Sequence, residues 1–226
     1  MNYKLLVFDW DGTLADSLQG IIYTMEQAIS HMQLEQRDHD SIRAIIGLGL
    51  NEAIEQLYPE LPGSEREKLR EYYGQYYRTP GNAPIKLFTG VEQVLSHLHG
   101  QDYLLAIATG KSRRGLERAF RETNMGSFFH ASRCADETFS KPHPQMLEEI
   151  MTLFDVSPEQ TIMVGDSEHD MQMANNAGVT PIAVNYGAQR EEHLLKFNPL
   201  LCLNHLNELA DWLELSGPKP VFENHE

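Results

Sequence analysis

The chain has 226 residues, 41% hydrophobic and 23% charged, which is enough for one sizeable core or a core with an inserted unit and too apolar for a disordered chain. Its 33 acidic against 18 basic residues give a formal net charge of −15, which argues against the basic face that phosphate-backbone binding requires, so nucleic acid is not an expected partner. Cys134 and Cys202 show no paired spacing, so neither a disulfide framework nor a thiolate zinc site is indicated.

The first apolar run, Leu5-Leu6-Val7-Phe8, reads as a buried strand and ends in Asp9-Trp10-Asp11-Gly12-Thr13. An apolar stretch this short is not a signal peptide. Nor does any later run approach the roughly 20 apolar residues of a membrane span, so no membrane partner and a cytoplasmic location are expected. Leu18, Ile21, Ile22, Met25, Ala28, Ile29 and Met32 then follow helical spacing behind Ser17, a natural N-cap residue. Three more helical pieces follow, around Ile42 and Ile46, around Leu50 and Leu57, and from Leu69 to the tyrosines 72, 73, 76 and 77, which read chiefly as packing between helices. The run Pro80-Gly81-Asn82-Ala83-Pro84 is loop punctuation that closes this all-helical segment.

Beyond it, apolar runs at 104–108, 161–164, 181–184 and 200–203 alternate with amphipathic stretches at 90–99, 112–122, 144–154, 168–177 and 206–213. Strands alternating with helices in this way predict an α/β fold with a doubly wound parallel sheet. The expected organisation is a core of residues 1–15 and 84–226, interrupted by a helical unit at 16–83 and followed by a loose tail from 216. Neither a monomer nor a homodimer is favoured by the sequence.

In open α/β sheets ligands sit beyond the carboxyl ends of the strands. Those ends carry Asp9 and Asp11, then Thr109-Gly110-Lys111, then Gly165-Asp166-Ser167 with Asp170, while Lys141 precedes Pro142 in a connecting loop. Asp9, Asp11 and Asp166 offer hard oxygen ligands suited to Mg²⁺, whose charge would offset the repulsion between carboxylates. Lys141 and the Thr109 hydroxyl suit phosphoryl oxygens, and the Gly110 amide lies near a helix start, where anions are favoured. Gly47-Leu48-Gly49, between two helical pieces, and Arg43 are candidates for substrate contact.

Together, Asp9-Trp10-Asp11-Gly12-Thr13, Thr109, Lys141 and Gly165-Asp166-Ser167-Glu168-His169-Asp170 resemble the four motifs of the haloacid dehalogenase superfamily. Thr109-Gly110-Lys111, the helical insertion after the first motif and Ala174-Asn175-Asn176-Ala177-Gly178 are most similar to its phosphoglycolate phosphatase-like branch. The resemblance implies a Rossmann-like core with a cap, and a Mg²⁺-dependent phosphatase acting on a small phosphorylated metabolite, phosphoglycolate-like at family level. It further implies Asp9 as the nucleophile that becomes an aspartyl phosphate, and Asp11 as the proton carrier. Mg²⁺ would be held by Asp9, the Asp11 carbonyl and Asp166, with Ser167 and Asp170 supporting them. The sequence leaves two alternatives open: a sugar-phosphate phosphomutase, and a non-catalytic protein that binds a phosphometabolite.

Overall fold

The computed structural model describes residues 3–79 and 85–216. Six parallel strands form one sheet: β1 (Leu5–Phe8), β2 (Leu104–Thr109), β3 (Ala131–Cys134), β4 (Thr161–Gly165), β5 (Thr180–Val184) and β6 (Leu201–Leu203). Their order is β3-β2-β1-β4-β5-β6. All four residues of β1 are buried, because β2 and β4 pair with its two edges and helices cover both faces.

The strand period of two divides the core. Leu6, Phe8, Leu105, Ile107, Ile162 and Val164 meet α5 (Val91–Gly100), α6 (Arg113–Thr123) and α10 (Asn207–Ser216) on one face. Leu5, Val7, Ala106, Ala108 and Met163 meet α7 (Gln145–Phe154) and α8 (Glu168–Asn176) on the other. Trp10 continues the alternation of β1: it is buried on the first face, edge-on to Phe120 and Phe129, while its neighbours Asp9 and Asp11 turn to the strand ends.

Between β1 and α5 lie α1 (Leu18–His31), α2 (His39–Ala44), α3 (Leu50–Leu57) and α4 (Gly63–Arg78). They share a separate apolar cluster that includes Ile22, Met25, Ile29, Ile42, Ile54 and Leu69. α1 packs along α4, where the His31 ring lies 4.0 Å from that of Tyr72 and its Nδ1 is 2.9 Å from the Tyr76 hydroxyl. Tyr72 and Tyr76 thus have the packing role their spacing predicts, whereas Tyr73 and Tyr77, stacked on each other at 5.8 Å, line a cleft.

Three features depart from the expectations. Ser17 occupies the N-cap position of α1 but its hydroxyl caps nothing; it donates to Asp11 instead. β3 has no counterpart among the expected strands because it is a sheet edge, half-exposed, with Ser132 and Arg133 in place of an apolar run. The short helix α9 (Glu191–Leu194) was likewise not expected; it is four residues long and too short for a helical period to register. The predicted loop at 80–84 and all but the first residue of the predicted tail lie outside the described residues. Among the described residues, no helix is long and apolar enough to cross a membrane.

Candidate active site

The strand order reverses direction between β1 and β4, and the crevice at their carboxyl ends is where this architecture places ligands. The register pairs Phe8 with Val164, and the Asp9 amide donates to the Val164 carbonyl at 2.9 Å. Asp9, one residue beyond this pair, and Asp166, two residues beyond it and the first after β4, are therefore brought together by the sheet itself.

Asp9 is 1% exposed, and so is Lys141, whose ammonium donates to Asp9 Oδ1 and to Asp170 Oδ1, each at 2.6 Å. Asp170 is fixed from its other side, since its Oδ2 accepts from the Ser167 amide at 3.1 Å and the Ser167 hydroxyl at 2.6 Å. The Asp170 amide in turn donates to the Ser167 hydroxyl at 3.4 Å, which makes a reciprocal cap at the start of α8. Asp9 Oδ2, by contrast, is buried and has no hydrogen-bond partner. Burial pushes the Asp9 carboxyl up to about 7, against the pull of Lys141 and with further upward push from Asp170 and Asp11. Burial, then the nearby Asp9 and Asp170, also hold Asp166 well above the ordinary carboxylate range.

Asp166 is anchored by the Thr13 hydroxyl, which donates to Oδ1 at 3.0 Å, and by the Ala188 amide, which donates to Oδ2 at 2.6 Å. Gly12 makes this approach possible. Its φ is +81°, and a Cβ there would stand 2.0 Å from Asp166 Oδ2. Carboxylate oxygens of Asp9, Asp166 and Asp170 all come within 4.8 Å of one another. The donors are hard oxygens, the site is buried, and one oxygen of Asp9 lacks a partner, so the residues fit a small divalent cation. Asp170 is the least available of the three: the Lys141 ammonium holds its Oδ1 and two Ser167 donors hold its Oδ2, whereas each Asp166 oxygen accepts from one neutral donor.

The Asp11 carboxylate points elsewhere. Lys111 Nζ lies 2.9 Å from its Oδ2, and Ser17 donates to its Oδ1. Burial lowers the Lys111 pKa, but Asp11 and Tyr77 outweigh it and leave the ammonium held above its ordinary value. Tyr77, on α4, is 2.8 Å from the same ammonium. Thr109 ends β2, 1% exposed, and its hydroxyl accepts from the Lys111 amide at 3.2 Å. At Gly110 the inserted helices come so close that a Cβ would meet the Leu48 carbonyl oxygen at 2.3 Å.

Above these residues opens a cleft of about 820 Å³ between the sheet ends and the inserted helices. It is lined by Asp9, Asp11, Gly110 and Lys111 from below and by Gly47, Leu48 and Gly49 from above. The loop carrying those three is pinned to the core: the Gly49 amide donates to Ser140 Oγ at 2.8 Å, and His169 Nε2 lies 3.0 Å from the Ala44 carbonyl. Arg43 does not line the cleft. Asp9, Asp11, Thr109, Gly110, Lys141, Asp166, Ser167 and Asp170 thus converge at one end of the sheet.

Sequence reading missed Ser17 and Tyr77 as partners of the Asp11–Lys111 pair, Thr13 as a clamp on Asp166, and the turn after β5 that supplies the Ala188 amide. The last was within reach, since Asn185-Tyr186-Gly187 also follows a strand end. The others are contacts between segments distant in sequence, or hydroxyls that local patterns assign to caps.

A family model described as haloacid dehalogenase-like hydrolase matches residues 6–184. The chain belongs to this family. Over 96% of its length it is 28% identical to Pyrophosphatase PpaX of Anoxybacillus flavithermus, all of which is covered. It is also 28% identical to Phosphoglycolate phosphatase of Vibrio vulnificus, over 95% of this chain and 97% of that one. Among solved structures, a hydrolase from Pseudomonas syringae superposes with a TM-score of 0.86 at 19% identity, covering 96% of this chain and 100% of the other, which reports the shared fold.

Proposed function

We propose that this haloacid dehalogenase-like hydrolase is a Mg²⁺-dependent phosphatase that hydrolyses a small phosphorylated metabolite through an aspartyl-phosphate intermediate. The observation that carries the reading is Asp9: one oxygen is fixed by a buried lysine while the other, equally buried, is left without a partner at the floor of a cleft. Such an oxygen costs free energy unless a cation or an electrophile completes it. The phosphatase names of the relatives support the same chemistry.

In this mechanism Asp11 takes up a proton from solvent as substrate binds, and Asp9 attacks the substrate phosphorus while Asp11 gives that proton to the departing alcohol oxygen. The phosphorus–oxygen bond to the alcohol breaks as the bond to the Asp9 carboxylate forms. Asp11, now ionised, takes a proton from water, which attacks the phosphoryl group and returns Asp9 to its free carboxylate. Lys141, Thr109 and the Gly110 amide hold the non-bridging phosphoryl oxygens, and Asp170 with Ser167 keeps Lys141 in place. The carboxylates of Asp9 and Asp166 and the Asp11 carbonyl would hold Mg²⁺, which supplies positive charge against the phosphoryl oxygens. The helices α1 to α4 act as a cap that limits water at the site. The unpaired Cys134 and Cys202 fit a cytoplasmic location.

The test is phosphate release from an aryl phosphate with Mg²⁺ present. Activity is expected in the native protein and absent in Asp9→Asn or with EDTA. Wild-type turnover by purified Asp9→Asn protein would overturn the mechanism.

A further inference from the structure

The cleft carries a charge pattern that hydrolysis of a phosphoryl group does not use. In a chain of net charge −15, five of the eleven arginines, Arg70, Arg78, Arg114, Arg118 and Arg121, line the same cleft as Asp9 and Asp11. Arg114, Arg118 and Arg121 are spaced by four and three residues, so they share one face of α6. The start of that helix adjoins Lys111, the cation on Asp11.

These arginines are not equivalent. Arg118 is held by Glu122 at 2.5 Å and by the Tyr77 carbonyl at 2.7 Å, joining α6 to α4. Arg70 is likewise engaged by Glu67 and Asn51. Arg78, Arg114 and Arg121 have, among the described residues, neither an ion pair nor a side-chain hydrogen bond, although acidic side chains outnumber basic ones in the chain by 33 to 18, and Arg114 and Arg121 are the two of them on α6. An exposed arginine is ordinarily just solvated, so position has to distinguish these two. They stand on a cleft wall, one on either side of the arginine that bridges to the cap.

Two further observations concern size. Gly74 lies within α4, midway between Arg70 and Arg78 on the cleft, where glycine costs a helix about 1 kcal/mol relative to alanine. No positive φ requires it, and an added Cβ would come within 3.1 Å of Arg78 Nη1. What the glycine provides is space. The cleft, at about 820 Å³, falls in the upper part of the range for drug-sized ligands, roughly 300–1,000 Å³, and has an apolar wall that includes Ile21, Met25 and Ile45.

We infer that the substrate is a phosphomonoester with an extended body whose far end carries a second anionic group, carboxylate or phosphate, bound by the α6 arginine face with Arg114 and Arg121 in direct contact. This rests on the phosphatase reading and narrows its substrate class. The planar guanidinium fork suits either anion. Arg114 and Arg121, seven positions apart, are separated by about 10 Å along the helix axis, so a two-carbon phosphate fills only the end of the cleft near Asp11.

The experiment compares hexyl phosphate with its ω-carboxylate and ω-phosphate analogues on the Mg²⁺-loaded protein. The terminal anion is expected to raise kcat/KM by about 10-fold or more, chiefly through KM, since a charge-assisted contact contributes to binding in ground and transition state alike. The better of the two analogues identifies the anion. In an Arg114→Ala, Arg121→Ala double variant the ratio of anionic to neutral substrate is expected to fall towards one, and the corresponding lysine variant should retain part of it. A ratio near one in the native protein, or a ratio unmoved by the double variant, would overturn the inference. If no phosphoester at all is turned over, aryl phosphate included, the phosphatase reading fails, and calorimetric titration of Asp9→Asn protein still decides this one. Tighter binding of the ω-phosphate analogue than of hexyl phosphate, lost on removing Arg114 and Arg121, sustains it; equal binding rejects it.

Discussion

Lys111 lies 2.9 Å from Asp11, and the same ammonium reaches Tyr77 on the inserted helices at 2.8 Å. One buried cation therefore links the proposed proton carrier to the inserted helices. Both partners of the pair are close to fully buried, with side chains 7% and 11% exposed, so solvent does little to screen them. Lys111→Met leaves the Asp11 carboxylate with only Ser17, and we expect a stability loss of about 3 kcal/mol in urea unfolding at neutral pH. Adding Asp11→Asn to Lys111→Met should recover much of that loss, because the uncompensated charge is then gone. Equal stability of Lys111→Met and the native protein would show that the pair is not the compensation it looks to be.

Lys141 has a different burden, since it separates Asp9 from Asp170 within 2.6 Å of each. Replacing it with methionine removes the only lysine or arginine charge paired with either carboxylate among the described residues. Turnover of an aryl phosphate is expected to drop by about 10³-fold, the scale of losing a charged group aimed at the reacting phosphoryl. The thermal midpoint should fall as well, and excess Mg²⁺ should restore part of the midpoint without restoring turnover. A variant that regains both with Mg²⁺ would mean that Lys141 only balances charge.

The parts of this molecule that were legible in the sequence are those that one local pattern determines. Leu5 to Phe8 announced a buried strand by four apolar residues in succession, and the core strands β2, β4 and β5 did the same because helices cover both of their faces. β3 did not, since an edge strand half in solvent has no need of apolar residues. The site divides in the same way. Asp9, Thr109 and Asp166 stand at strand ends and are legible by position alone, whereas Ser17 reads as a cap and is a partner of Asp11. Lys111 was visible beside Thr109, but its contacts with Asp11 and Tyr77 depend on how the inserted helices fold back. Arg43 was drawn in by charge and proximity to Gly47, and the cleft is lined by arginines of α4 and α6 instead.

Gly12 offers a test of whether close backbone packing around Asp166 is required. At φ +81° an alanine is strained, and its Cβ would overlap Asp166 Oδ2. Gly12→Ala is therefore expected to cost at least about 1–2 kcal/mol and to displace Asp166 from Asp9. The two effects separate experimentally. Urea unfolding reads the strain, while Mg²⁺ titration followed by thermal midpoint reads the displaced carboxylate, with a shallower Mg²⁺ response expected than in the native protein. A Mg²⁺ response unchanged in a well-folded Gly12→Ala protein would remove Asp166 from the proposed metal set.

The pH dependence of metal-free stability follows from Asp9. Its carboxyl is pushed up to about 7 in the folded protein, against 3.8 as the ordinary value, principally by burial. Between those two values the folded protein holds a proton that the unfolded chain has released, so the unfolded state binds fewer protons and stability falls as pH rises. The contribution is complete below the ordinary value and is lost as pH passes through about 7; Asp166, raised for the same reason, acts in the same direction. A cation bound by these carboxylates favours their ionised forms and reverses the loss. The gain in thermal midpoint on adding Mg²⁺ to EDTA-treated protein should therefore be larger at about pH 8 than at about pH 5.5, and at low pH binding should release protons. Midpoints measured at both pH values with and without Mg²⁺ check this directly: an equal or larger gain in acid would place the cation away from Asp9 and Asp166.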